Sequence, residues 1–138
     1  MSNSSKHLAT ISLPVRITDI NYGNHVGNDS FVSILHEARV QCLAKHGLSE
    51  LNVGDGTGLI MSSLTIDFKS EAFYGDILHI DIFVQNISSA GFELVYEVSS
   101  IREEKTVMIA NASTKMICFN YERRKVTRIP EQLALAIH

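Results

Sequence analysis

One stretch of helical periodicity, followed only by strands at short turns, leaves this chain very few architectures. From about Asp29 to His46, Phe31, Ile34, Leu35, Ala38 and Cys42 recur at i, i+3, i+4, i+7 and i+11. That spacing draws a single apolar stripe on a helix. Val32, Val40 and Leu43 carry apolar cover to a second face, so the helix is expected to be mostly surrounded. Asn28 or Asp29 stands where a cap is needed, and Gly47 stands where a left-handed residue closes the helix.

The segments around this helix alternate with a period of two. Ile11, Leu13, Val15 and Ile17 oppose Ser12, Pro14, Arg16 and Thr18, predicting a half-buried strand, with Pro14 requiring an edge or a bulge. After the glycines Gly54, Gly56 and Gly58 come four more strands: Leu59 to Lys69, Ile77 to Ile87, Phe92 to Ile101 and Thr106 to Asn120. They are separated by Tyr74-Gly75-Asp76, Ser88-Ser89-Ala90-Gly91 and the charged tip Arg102-Glu103-Glu104-Lys105. Turns this short demand antiparallel pairing. Pro130-Glu131 opens a short final helix. The expected fold is α+β: a five-stranded antiparallel sheet wrapped around one long central helix. An open sheet leaves an edge, so pairing with a second copy is expected.

The chain of 138 residues reads as one domain spanning 1–138, with residues 1–8 as a frayed N-terminus. A net charge of −3 provides no field for nucleic acid. No window has the apolar length of a membrane span, and the polar start Met1-Ser2-Asn3-Ser4-Ser5-Lys6-His7 is not a secretion signal. Cys42 and Cys118 stand far apart and form no C-x-x-C pair, which points to a reducing, cytoplasmic setting. The histidines form no zinc-binding spacing, so no metal is expected.

The segment Asp19-Ile20-Asn21-Tyr22-Gly23-Asn24-His25-Val26-Gly27-Asn28-Asp29 concentrates turn formers, hydrogen-bonding side chains, a histidine and two carboxylates directly before the helix. The first N–H groups of a helix lack internal partners, and the helix dipole favours negative charge there. Such a loop suits an oxygen that gains charge during reaction.

Several motifs together resemble the hotdog-fold thioesterases of the 4-hydroxybenzoyl-CoA and acyl-CoA thioesterase group. They are Val15-Arg16 with Asp19-Ile20-Asn21, then Gly23, His25-Val26 and Asn28, and the helix sequence His36-Glu37-Ala38-Arg39. Thr65-Ile66-Asp67-Phe68 and Tyr74-Gly75-Asp76 continue the likeness, which covers roughly Leu13 to Ile137. The resemblance implies a thioester hydrolase that uses no cofactor and takes an acyl-CoA or acyl-carrier-protein thioester as substrate. It also implies a homodimer, in some members a tetramer, with the site between subunits. By alignment the oxyanion contact falls on the backbone of Asn28, with Asp29 and Gly23 beside it.

In several relatives a carboxylate at the second position of D-x-D attacks or activates water. Here that position is Asn21, and an amide can do neither. Asn21 orienting water with His25 as proton acceptor is one route. Glu37 on the helix, expected to be partly buried, is the other. Asn21 as a turn residue, His25 as a loop-bonding group and a Glu37–Arg39 ion pair are the structural alternatives. Ser62 and Ser63 interrupt an apolar strand and are candidates to line the acyl pocket; Lys69 and Arg123-Arg124-Lys125 are candidates for the phosphates of coenzyme A. An acyl-thioester-binding module without hydrolysis, and a hydratase, are the competing functions.

Overall fold

Strand β1 (Lys6–Pro14) opens the structure, a computed structural model that describes residues 5–138. The frayed start expected over residues 1–8 is corrected at Lys6: its Cα pairs with Val84 and its ammonium donates to the Ala136 and His138 carbonyls. Residues 1–4 lie outside the described residues. A single 3-10 turn (Ile17–Asp19) leads through the polar loop to α1 (Asn28–Lys45). Then follow β2 (Gly58–Phe68), β3 (Ile77–Gln85), β4 (Gly91–Arg102), β5 (Lys105–Asn120), β6 (Lys125–Val126) and α2 (Glu131–Ile137).

All pairings are antiparallel, in the order β1-β3-β4-β5-β2, with the two-residue β6 added to β5. The sheet thus has six strands where five were expected. β6 is too short for periodicity to reveal, and forms because the Arg123-Arg124 turn folds Lys125 back onto Asn120. β1 carries Pro14 at an edge and a register shift between His7 and Ala9, as its sequence requires. Glu103 and Glu104, both at positive φ, make the two-residue tip between β4 and β5.

Alternate residues of β3, β4 and β5 form the buried wall: Leu78, Ile80, Ile82 and Val84; Phe92, Leu94, Tyr96 and Val98; Ala110, Ala112, Thr114, Met116 and Cys118. Phe31, Ile34, Leu35, Ala38 and Cys42 of α1 are buried with them. The helix is not surrounded as expected. Leu43 is buried, but Val32 and Val40 point outward at 37% and 41% exposure. Ile17 leaves the strand for the 3-10 turn and is exposed.

A polar strut crosses the apolar interior. Arg39 lies on the buried side of α1, donating to Glu50 at 2.6 Å and to the Tyr96 hydroxyl at 3.1 Å. Tyr96 meets Thr114 at 2.8 Å, and His36 reaches the other Glu50 oxygen at 2.7 Å. The strut ties the helix, the loop after it and the middle of the sheet together.

Four acids carry acid sensitivity: Glu93, held low first by the Gln85 side-chain hydrogen bond against burial, and three acids paired with arginine. Burial raises each of Asp19, Glu50 and Asp76. Hydrogen bonds and charge from Arg16 at Asp19, from Arg39 and His36 at Glu50, and from Arg102 with the Phe73 N–H at Asp76 outweigh it. All three therefore sit below the ordinary carboxylate range. A lowered folded-state pKa stabilises above the unfolded value, and that stability is lost as pH falls through the folded one. The melting temperature is expected to hold near neutrality and to decline below about pH 4. Asp76→Asn should flatten that decline; an equally steep one in the variant would contradict the assignment.

Candidate active site

Asp19 is the post from which the loop hangs. Its buried carboxylate accepts from the Arg16 N–H at 2.8 Å and from the Arg16 guanidinium at 3.1 and 3.3 Å, and its carbonyl accepts from Gly27 N–H at 3.1 Å. The Ile20–Val26 bridge then closes a tight hairpin, with Asn24 at φ 64°. Asn21 N–H donates to the His25 carbonyl at 2.9 Å, and the Asn21 side-chain oxygen accepts from Gly23 N–H at 2.9 Å. Asn21 therefore holds the turn. It faces a shallow groove with Thr18, Asp29 and Ser30 rather than the cavity that His25 enters.

That cavity has a volume of about 350 Å³. Val26, Phe31, Phe68, Ala72 and Ile109 form its apolar wall; His25, Asn28, Lys69, Ser70 and Glu71 supply its polar groups. Phe31 and Phe68 meet edge-on with centroids 5.2 Å apart. Phe68 ends β2, the last strand of the sheet, so the cavity lies beside a free edge.

The helix N-terminus looks into it. Gly27, not Asn28 or Asp29, is the N-cap, and no side chain caps the helix. The first hydrogen-bonded turn runs from Phe31 N–H to Gly27 O at 2.9 Å, leaving the N–H groups of Asn28, Asp29 and Ser30 without intrahelical partners. The Asn28 side chain is free of capping work and lines the cavity. An oxyanion placed here meets unspent donors and the positive end of an eighteen-residue helix.

His25 is half-buried beside these donors. Its Nδ1 lies 3.1 Å from the Val26 carbonyl. A carbonyl only accepts, so Nδ1 carries the proton. Nε2 then points its lone pair at Glu71 Oε2, 3.4 Å away. Two acceptors face each other until a proton arrives, and protonation of either converts the pair into a hydrogen bond.

Glu71 is the residue that sequence reasoning missed. It lies 46 positions from His25 in a short loop without a motif, and nothing in its neighbours marks it. The fold brings the pair together: Val26 N–H donates to the Ala72 carbonyl at 2.8 Å. Gly23 serves the site indirectly, because a Cβ there would stand 3.0 Å from the His25 ring. Gly23→Ala is expected to displace the imidazole and lower kcat about tenfold or more, with the melting temperature nearly unchanged, since the position is exposed. Matched steady-state kinetics and thermal unfolding check this.

The other candidates lie elsewhere. Glu37 is exposed, not partly buried, and accepts from Gln41 at 2.7 Å; the expected partner Arg39 turns inward to Glu50. It stands nine residues beyond Asn28, roughly 13 Å along the helix axis, too far to share a carbonyl within one protomer. Ser62 and Ser63 are exposed in the middle of β2, at its register shift, and Ser62 Oγ donates to the Lys115 carbonyl at 3.4 Å. Ser62 lines a separate groove with Glu93 and Lys115, and Ser63 pairs with Lys115, so neither stands with His25. Met116 is core, while Met61 and Met108 are exposed. Burial pushes both thiols, Cys42 and Cys118, up to about 11, so neither is an activated nucleophile.

This fold and this cavity define a class. The chain belongs to the thioesterase-like superfamily, whose family model matches residues 15–137. It is a thioester hydrolase of the hotdog fold. It is 30% identical over 104 residues to the 1,4-dihydroxy-2-naphthoyl-CoA hydrolase of Microcystis aeruginosa, covering 74% of this chain and 72% of that one. Its identity to the enzyme of the same name from Synechocystis is 29% over 131 residues, 93% of each chain. The crystal structure of a 1,4-dihydroxy-2-naphthoyl-CoA thioesterase from Synechocystis superposes with a TM-score of 0.81 at 28% identity, covering 93% of both chains.

Proposed function

We propose that this protein hydrolyses acyl-CoA thioesters with an apolar, foremost aromatic, acyl part, and that Glu71 and His25 together form its base. The supporting observation is the facing of His25 Nε2 and Glu71 Oε2 across 3.4 Å, beside the unpaired N–H groups that begin α1. The acyl group rests on Phe31, Phe68 and Ile109, its carbonyl oxygen against the Asn28 N–H. A water between the carbonyl carbon and Glu71 gives its proton to the His25–Glu71 pair as its oxygen bonds to carbon. The resulting oxyanion is held by the helix N-terminus. Collapse breaks the carbon–sulfur bond, and the thiolate leaves with the proton the pair had stored. The aromatic preference draws on the Phe31–Phe68 corner and on the substrates named for the relatives.

The working unit in this reading is a homodimer joined through β2. That strand is eleven residues long, ends the sheet and carries one charge, Asp67, and no proline. Such an edge pairs readily with another strand. The opposite edge, β1, is guarded by Pro14, a bulge and the Lys6 contacts. Pairing on β2 places each cavity at the interface. We assign the protein to the cytoplasm, on the reducing chemistry expected for two unpaired, buried cysteines.

An acyl-CoA panel with free-thiol detection tests the reading. Aryl-CoA substrates are expected to be turned over, and His25→Ala to lower kcat about a hundredfold. The native mass should be twice the 15.3 kDa protomer or a further even multiple. No thiol release from any acyl-CoA, or full activity in His25→Ala, would sink it.

A further inference from the structure

We infer that Arg102 is a positioning residue for the hydrolysis: its guanidinium grips the main-chain carbonyl of Glu71 and so fixes where that carboxylate stands against His25. The inference rests on the reading of Glu71 and His25 as the base. Of that pair, His25 is steadied by the Val26 carbonyl. The Glu71 carboxylate is exposed and meets only His25 among the described residues, at 3.4 Å. Its aim is therefore set by its own backbone.

Three consecutive residues of the loop between β2 and β3 are each held by a different neighbour. Ser70 N–H donates to the Ile109 carbonyl of β5 at 3.1 Å, and Lys69 N–H reaches the same oxygen at 2.8 Å. The Ala72 carbonyl accepts from Val26 N–H at 2.8 Å. Between them, the Glu71 carbonyl accepts from Arg102 Nη2 at 2.7 Å. The anchors at Ser70 and Ala72 are main chain on both sides. The one at Glu71 is supplied by a side chain, and so it answers to substitution.

Arg102 closes β4 at the foot of the charged tip, yet its side chain turns back over the loop. The same Nη2 donates to Asp76 Oδ2 at 2.6 Å, and Nε lies 3.4 Å from Asp76 Oδ1. The guanidinium carbon sits 5.1 Å from the centre of the Phe73 ring. Asp76 is itself placed: its Oδ2 also accepts from Phe73 N–H at 2.8 Å, and its carbonyl accepts from Val15 N–H at 2.9 Å. Charge-assisted bonds of this kind are strong, and a planar guanidinium loses little freedom in making them. Stability and positioning thus divide between two partners, Asp76 for the first and Glu71 for the second. A shift of about 1 Å in a reacting group can cost about a hundredfold in rate, so a firm grip on the Glu71 backbone matters to the chemistry.

Three variants of the full chain separate the two roles. Arg102→Lys keeps the charge beside Asp76, but its side chain ends one bond short and cannot meet Asp76 and the Glu71 carbonyl together. It is expected to melt near the parent while kcat falls about tenfold, with KM for the aryl-CoA that the native protein turns over fastest held within about twofold. Arg102→Gln, which also loses the charge, should melt lower and show the same loss of kcat. Asp76→Asn still offers an amide oxygen to Phe73 N–H and Arg102 Nη2, so it should lose stability and hold kcat within about twofold. In a Glu71→Gln background, Arg102→Lys should cost nothing more, because the group it places is gone. Native kcat in Arg102→Lys and Arg102→Gln, a full further loss on top of Glu71→Gln, or a loss in Asp76→Asn as large as in Arg102→Lys would overturn the inference. Parental kcat in Glu71→Gln alone would instead fail the base reading, and the inference with it.

Discussion

Glu71→Gln is expected to lower kcat on an acyl-CoA by a factor of about 10²–10⁴, with KM and melting temperature close to those of the parent. The side chain is 61% exposed and its only partner among the described residues is His25, so folding does not depend on it. Glutamine keeps the size and loses the proton acceptor. The His25 ring would remain placed by the Val26 carbonyl and by the space above Gly23, so the loss would isolate proton transfer from positioning. Two controls sharpen the reading. Glu37→Gln removes a carboxylate bonded to Gln41 on the outer helix face and should alter kcat by no more than a few-fold. Asn21→Asp keeps an oxygen for the Gly23 N–H, so the turn survives and the rate should not rise. A Glu71→Gln enzyme working at the parental rate, with Glu37→Gln inactive, would move the base to the helix.

The largest stability effect is expected at Arg39. Arg39→Ala should cost about 3 kcal/mol in urea denaturation, the low end for breaking a buried pair. The Arg39 side chain is 8% exposed and Glu50 23%, so the stranded carboxylate recovers some solvent. The Tyr96 hydroxyl, fully buried, would keep only Thr114. Removing the whole strut as Arg39→Met, Glu50→Met and Tyr96→Phe should recover most of the loss, because no charge or hydroxyl is then left unmatched. If Arg39→Ala proves harmless, the strut is incidental to stability.

What the sequence made legible follows from range. Alternation along β3, β4 and β5 and the stripe on α1 are local patterns, and the sheet-and-helix architecture follows from them. The helix N-terminus was also legible, because unpaired N–H groups belong to any helix start. Glu71 was not: its meaning depends on the chain returning beside Val26, a contact that no spacing encodes. Charge offers Arg39 as a partner for Glu37, yet its position beside Ala38 and Leu35 turns it toward Glu50 and Tyr96. For Asn21 the sequence leaves water orientation and a turn role both open; in the fold its amide oxygen accepts from Gly23 N–H and closes the loop that presents His25. The helix face bearing Val32 and Val40 misled for another reason. Apolar character predicts cover without saying whether the same chain supplies it.

The hydrogen bond from Val26 N–H to the Ala72 carbonyl has a consequence for how this scaffold diversifies. It joins the backbone of the segment bearing His25 to the backbone of the segment bearing Glu71 through main-chain atoms. Phe68 and Ile109, by contrast, line the cavity from strands β2 and β5. On the proposed chemistry, substitution on β2 and β5 is expected to reshape the acyl chamber while the backbone carrying His25 and Glu71 stays where it stands.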